Sequence, residues 1–390
     1  MDRIYLDYNA STPVDPEVLE AMMPYFRNVY GNPSSIHWEG QQAKAALDRA
    51  REQVAALLGV EPREIVFTSG GTEADNLALQ GIAYRYRDRG QHILVSAIEH
   101  PAVLRTAETL ARAGFIVETI PVTADGIVDP DRVRAMIRPD TILVSVMAAN
   151  NETGVIQPID RIGPICREYG VFFHVDAVQG AGKMPLHPRA WAVDLMSLSG
   201  HKIYGPKGVG ALYVRDGVEI LPMIYGGNQE RGRRSGTENL AGIVGMGAAC
   251  AQMTRIWEEE QRRLRTLRDR FEQELRRRFP EVQIHGHRAA RVGNTSMFSV
   301  PGMDGETLAM RLDLEGFAVS TGSACASGRV ESSHVLEAMG VPHDVIRGAL
   351  RISMGRYTRW EHLVQFLDTL ARIQQEAVRW ESDGKSAGET

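Results

Sequence analysis

Short apolar runs, each ending in polar or small residues, alternate with stretches of helical periodicity through the first two-thirds of the chain. "EIVFTS" leads into "GGTEADNLALQGIAYRY", and "HILVSAIEH", "TILVSVMAANN", "VFFHVDAVQG" and "DLMSLSGHK" repeat the form. "GQQAKAALDRAREQVAALLG" places Leu47, Ala50, Val54 and Leu57 on one helical stripe. Buried strands alternating with helices predict an α/β fold with a mainly parallel central sheet, flanked by helices on both faces. In such sheets the active residues belong at the carboxyl ends of the strands. "SLSGHKIYGPKGVGALYV" reads as a strand running into a turn-rich hairpin, with Lys202 at the junction.

The pattern changes after about residue 250. "RRLRTLRDRFEQELRRRF" puts Leu264, Leu267, Phe271, Leu275 and Phe279 on one stripe of a basic helix, and its arginines are expected on a solvated face. Strands near 295–300, 317–320 and 349–353 alternate with helices near 306–315, 333–339 and 359–377. The expected organisation is a large domain over 14–255 and a smaller α/β domain from 1–13 and 256–380. A polar, disordered tail is expected over 381–390. No internal repeat is visible.

Composition narrows the function classes. A chain of 390 residues can bury its core without disulfides or metals. Its net charge of −5 argues against nucleic acid as the main partner. No apolar run approaches the roughly 18 residues that cross a bilayer, and "MDRIYLDYNASTP" lacks the apolar stretch of a signal peptide. The cysteines, Cys166, Cys250 and Cys325, are too few and too scattered for a disulfide framework or a zinc site. A cytoplasmic protein is expected, with no membrane partner and no metal.

Four strand ends carry candidate chemistry. "FTSGGTEADN" leads into a helix whose first turn offers Thr72 and backbone N–H groups to an anion, although Thr72 also suits a simple helix cap. Asp176 and Gln179 follow one apolar strand, and a buried carboxylate there requires a donor partner. Lys202 ends another strand, between Ser199 and His201 on one side and a glycine turn on the other. His100 ends a strand just before a proline, a place where a structural histidine is the commoner case. Together these suit pyridoxal phosphate. That cofactor needs a lysine for its aldehyde, an acid opposite its pyridine nitrogen and a cradle for its phosphate, and often a flat side chain on its ring.

On these residues the chain resembles the cysteine desulfurases (the NifS/IscS group) of the class V aminotransferase superfamily. The matching stretches include "YLDYNASTPVDP", "GNPSSIH", "FTSGGTEADN", "EHPAV", "MAANNETGVIQP", "FHVDAVQGAGK", "SGHKIYGPKGVGALY", "RRSGTEN", "STGSACASG" and "LRISMGRYT". The resemblance implies a fold type I pyridoxal-phosphate transferase fold and a homodimer. Lys202 would hold the cofactor and move protons. Asp176 would pair with the pyridine nitrogen, and Gln179 would bond the phenolic oxygen. His100 would stack on the ring and assist proton transfer. Gly71, Thr72, Ser199 and His201 would bind the phosphate, with Thr237 reaching in from the other subunit. Asn151, also counted among the cofactor-binding residues, and Arg351 would hold the carboxylate of L-cysteine, a task for which the planar guanidinium fork is suited.

Cys325 lies in "VSTGSACASGRV", a small-residue loop that favours an exposed thiol over a buried one. It is the expected nucleophile, taking sulfur from cysteine as a persulfide and leaving alanine. The sulfur would pass to an acceptor protein such as an iron–sulfur scaffold. Cys166 and Cys250 lie on apolar helical faces and read as core. The alternatives are a selenocysteine lyase or a transaminase on the same fold. A cofactor-free interaction protein is disfavoured by intact Lys202 and Asp176, and a Rossmann dehydrogenase by the missing glycine fingerprint.

Overall fold

The computed structural model describes residues 3–321 and 332–386, with side chains to residue 376. Its strands are β1 Ile4–Tyr5, β2 Ile65–Thr68, β3 His92–Ser96, β4 Ile116–Ile120, β5 Thr141–Ser145, β6 Phe172–Asp176, β7 Leu195–Ser199, β8 Gly210–Val214, β9 Gln283–Ile284, β10 Thr295–Ser299, β11 Phe317–Ala318 and β12 Ala349–Ser353. Seven of them form one sheet in the order β2-β8-β7-β6-β5-β3-β4. β8 runs antiparallel to both its neighbours, and the remaining pairs are parallel. The α/β architecture with a mainly parallel sheet is therefore as the hydrophobic pattern predicts.

Side-chain alternation splits the sheet between two cores. Leu94, Val144, Val175 and Met196 pack on one face, and Ile93, Val95, Leu143 and Leu195 on the other. Each such side chain contributes roughly 1.5–3 kcal/mol by leaving water. β4 differs because it is an edge strand. Its "IVETI" is partly exposed and lacks the unbroken apolar run of its neighbours.

Beyond the large sheet, β12-β10-β9 form a three-stranded antiparallel sheet, and β1 pairs in parallel with β11. A third core, including Leu6, Phe271, Phe298, Phe317 and Phe366, lies there. Helix Leu240–Arg278 runs unbroken through residue 255. Its arginines are not all solvated, contrary to the sequence expectation. Arg268 is buried and donates to Val292 O at 2.7 Å, and Arg263 donates to the carbonyls of Thr358 and Gly355. The helix lies against the smaller core, whose loop carbonyls need donors. The last helix, Trp360–Ser386, extends into the polar tail. No helix is long and apolar enough to cross a membrane among the described residues.

Candidate active site

The strand order gathers the candidate residues at one edge. Gly210 of β8 is the register partner of Ser199 in β7 on one side and of Thr68 in β2 on the other. One strand therefore separates the Lys202 turn from the turn that precedes helix Gly71–Arg85. Gly71 sits so close to the loop after β6 that a Cβ would lie 2.7 Å from Val178 Cγ2 and 3.5 Å from Ser199 Cβ. Gly70, not Thr72, is the N-cap of that helix, and Glu73 accepts from Ser69 N at 2.8 Å. Thr72 is exposed in the first turn, where backbone N–H groups lack intrahelical acceptors. The cap-only interpretation of Thr72 therefore fails.

Asp176 closes β6 and is buried, its Oδ1 accepting from Val178 N at 2.9 Å. Burial pushes its carboxyl above the usual range, while the Lys202 charge pulls it back. Lys202 lies in the one-turn helix Gly200–Lys202 and donates to Asn9 O at 2.6 Å and Ala10 O at 2.8 Å. His201 Nδ1 meets Ser11 Oγ at 3.2 Å, and Thr12 N donates to His201 O at 2.9 Å. Burial and the adjacent Lys202 hold His201 down at about 4.

His100 is the N-cap of helix Pro101–Arg112, its Nδ1 accepting from Ala102 N at 3.1 Å. Burial, with Lys202 and His334 nearby, lowers its pKa to about 4, so the ring is neutral at pH 7. It caps a helix and still presents a flat, neutral ring beside Lys202. Around Asp176 lie two further buried acids. Burial and the Asp176 charge raise Asp75, and burial raises Glu99 to about 8. His174, between Ser145 Oγ at 2.8 Å and Ser197 Oγ at 3.0 Å, is lowered by burial to about 3.

Arg351 lies on β12, in the smaller sheet, yet it reaches the same site. Its Nη1 donates to Asn151 O at 3.1 Å and its Nη2 to Asp7 Oδ1 at 2.7 Å. Its buried Nε has no partner among the described residues. Asn9 ties these pieces together. Its O accepts from both Lys202 and Gln179 Nε2, and its Nδ2 donates to Asn151 O at 3.0 Å and Thr295 Oγ1 at 2.8 Å. Sequence reasoning missed Asn9, Asp7 and Lys183. "YLDYNASTP" was conspicuous, but nothing in one sequence shows that a polar N-terminal segment lies under a lysine 193 residues away.

The structure thus brings together Lys202, Asp176, Gln179, Ser199, His201, His100, Gly71, Asn151 and Arg351, with Thr72 at the rim. Thr237 is exposed, in a segment tied to its own chain's helix Gly71–Arg85 by Arg234, whose Nε donates to Glu73 Oε1 at 2.8 Å. Cys325 lies outside the described residues. Cys166 and Cys250 are buried, and burial pushes both thiols up, Cys250 to about 12. Among the described residues no group of three His, Cys, Asp or Glu could hold a metal ion.

This donor set fits pyridoxal phosphate. A buried carboxyl faces an amine, a glycine turn too tight for a side chain opens a helix N-terminus, and a neutral imidazole stands beside them.

Comparison with known proteins agrees with this geometry. Residues 4–366 match the family model described as Aminotransferase class-V. The cysteine desulfurase IscS of Dictyoglomus turgidum is 47% identical over 370 residues, covering 95% of this chain and 94% of that one. A solved NifS-like protein superposes with a TM-score of 0.90 at 40% identity, covering 96% of this chain and 99% of that one. SspA, solved in complex with cysteine, gives a TM-score of 0.78 at 35% identity, covering 91% of this chain and 100% of that one. The chain belongs to the class-V aminotransferase family, among its cysteine desulfurases.

Proposed function

We propose that this cysteine desulfurase splits its reaction between rigid strand ends, which hold cofactor and substrate, and Cys325, which takes the sulfur. The observation that carries the first half is the Lys202 amine beside buried Asp176, with a helix N-terminus one strand away. The family is in general dependent on pyridoxal phosphate. When bound, that group withdraws electrons from the substrate's α-carbon, which loosens the α-proton and the bond to sulfur.

The chain's own residues do the rest. Lys202 would hold the cofactor aldehyde, and its amine is the base that would move a proton at the substrate's α-carbon. Asp176 would keep a negative charge for the pyridine nitrogen, and Gln179 would donate to the phenolic oxygen. Gly71, Thr72, Ser199 and His201 hold the phosphate, joined by Thr237 of a second copy in a homodimer. His100, neutral at pH 7, would give the ring a flat partner and assist proton transfer. Arg351 and Asn151 take the carboxylate of L-cysteine.

Cys325 attacks as its thiolate on the substrate sulfur. The carbon–sulfur bond breaks, its electron pair stays with carbon, and a proton completes alanine. The sulfur stays on Cys325 as a persulfide, so cysteine and a thiol become alanine and a persulfide with no external oxidant. The outer sulfur then passes to a nucleophile of an acceptor in the cytoplasm, such as an iron–sulfur scaffold protein, and Cys325 leaves as its thiolate.

Two substitutions test this division. Cys325→Ser keeps the volume but supplies a hydroxyl that is essentially un-ionised at pH 7. It should bind pyridoxal phosphate and still change its absorbance on adding cysteine, yet lose more than about 99% of alanine release, a ΔΔG‡ near 3 kcal/mol. Arg351→Ala should fail earlier, with at least a tenfold weaker absorbance response to cysteine, about 1.4 kcal/mol. Alanine release persisting in Cys325→Ser would favour a lyase or transaminase for which cysteine is an incidental substrate.

A further inference from the structure

Lys183 is one of five lysines in the chain and is assigned no role above. It lies four residues beyond Gln179, in the loop after β6. Its Nζ donates to Gln179 Oε1 at 2.5 Å and to Asn9 Oδ1 at 3.0 Å. The surrounding bonds fix the direction of every donor. Asn151 O, a carbonyl, only accepts, so Asn9 turns Nδ2 to it and Oδ1 to Lys183. Asn9 O likewise only accepts, so Gln179 turns Nε2 to it, at 2.9 Å, and Oε1 to Lys183. Asn9 O also accepts from Lys202 Nζ. The Gln179 amide nitrogen therefore shares an acceptor with the amine that would bond the cofactor aldehyde. In pyridoxal phosphate the phenolic oxygen is ortho to that aldehyde. A primary amide carries two N–H bonds, and Asn9 uses one.

We propose that Lys183 is a positioning residue for Gln179. By occupying Oε1 it keeps the amide nitrogen toward Lys202, where the second N–H donates to the phenolic oxygen of bound pyridoxal phosphate. Without Lys183 only Asn9 O opposes rotation of the amide, and a rotated amide would set its oxygen against a developing phenolate. The charged and titratable groups around Lys183 are Lys202, Arg351 and Glu260, with Tyr8 and Tyr204 across the adjoining cavity. Lys202 and Arg351 repel its charge, Glu260 attracts it, and burial disfavours it most. A buried amine in such a place is costly, and bonds to two amide oxygens are what retain it.

The inference rests on the assignment of this site to pyridoxal phosphate, and the test separates the two. Wild type and variants are reconstituted with pyridoxal phosphate, and the visible absorbance of the bound cofactor is titrated with pH. A donor to the phenolic oxygen favours the deprotonated form, so its loss moves the midpoint up. Lys183→Met should raise the midpoint by about one pH unit, a tenfold change in proton affinity. Gln179→Ala should raise it similarly. Lys183→Met in a Gln179→Ala background should add little, because the two act as one unit. If Lys183→Met does not fold, Lys183→Leu, which likewise has no donor, carries the test with the same upward shift. An unshifted midpoint in the folded variant overturns the proposal. So does a full further shift in the Gln179→Ala background, which would mean that the Lys183 charge acts directly. A wild-type protein that binds no pyridoxal phosphate overturns the cofactor assignment itself, and this inference with it.

Discussion

Glu99 precedes His100 in the chain and is fully buried, with Ser96 Oγ donating to its Oε1 at 2.5 Å and Met147 N at 2.7 Å. Its Oε2 has no partner among the described residues. Burial, with the Asp176 charge, lifts its pKa from 4.5 to about 8. The unfolded chain therefore releases this proton first as pH rises. The stability contributed by the neutral acid is full below pH 4.5 and is lost as pH rises toward 8. The loss runs at up to about 1.4 kcal/mol per pH unit. Glu99→Gln mimics the protonated acid and should abolish this component. In urea melts of apo protein, the variant should match wild type near pH 4 and exceed it near pH 8. Parallel stability curves would show that Glu99 is ionised in the fold. Asp176 and Lys202 were legible in the sequence because they end apolar strands. Glu99 was not, since "SAIEHPAV" shows an acid beside a histidine and nothing of the carboxyl two strands away.

At the scale of elements, the site depends on how closely β8 approaches the Gly70–Gly71 turn. A Cβ on Gly210 would lie 2.5 Å from Gly70 C and 2.7 Å from Leu198 O. Both are backbone atoms, so the turn or the strand must move. Gly210→Ala should displace the helix N-terminus and weaken pyridoxal phosphate binding by tenfold or more, about 1.4 kcal/mol, with a lower Tm. Titration of the apo variant measures this, and unchanged affinity would mean that the turn does not hold the phosphate. β5, β6 and β7 were legible because burial on both faces leaves a continuous apolar run. β4 escaped because an edge strand keeps polar positions. The unbroken helix Leu240–Arg278 was also hidden. Its first third, "LAGIVGMGAACAQM", is buried nearly all round, while the remainder is a basic amphipathic helix. One element thus carries two compositions and reads as two.

At the scale of the whole molecule, the smaller sheet is joined to the cofactor edge through Arg351 to Asp7 and Asn151, and through Asn9 to Thr295 and to Ser353 Oγ. These contacts span most of the chain length, which is why only the resemblance pointed to Arg351. The described chain leaves Tyr30, Ile36 and Trp38 at least 69% exposed, apolar surface of the kind that subunit contacts cover. Sedimentation should give a two-fold homodimer, and a monomer retaining full activity on dilution would contradict a site completed by Thr237 of a second copy. Lys202, held by Asn9 and Ala10 beside Asp176, is the amine proposed to bond the cofactor. Borohydride reduction of the reconstituted protein followed by peptide mapping tests it most directly. A pyridoxyl group should appear on Lys202 alone; the label on Lys183, which lies against the same Asn9, or on any other lysine would contradict the assignment.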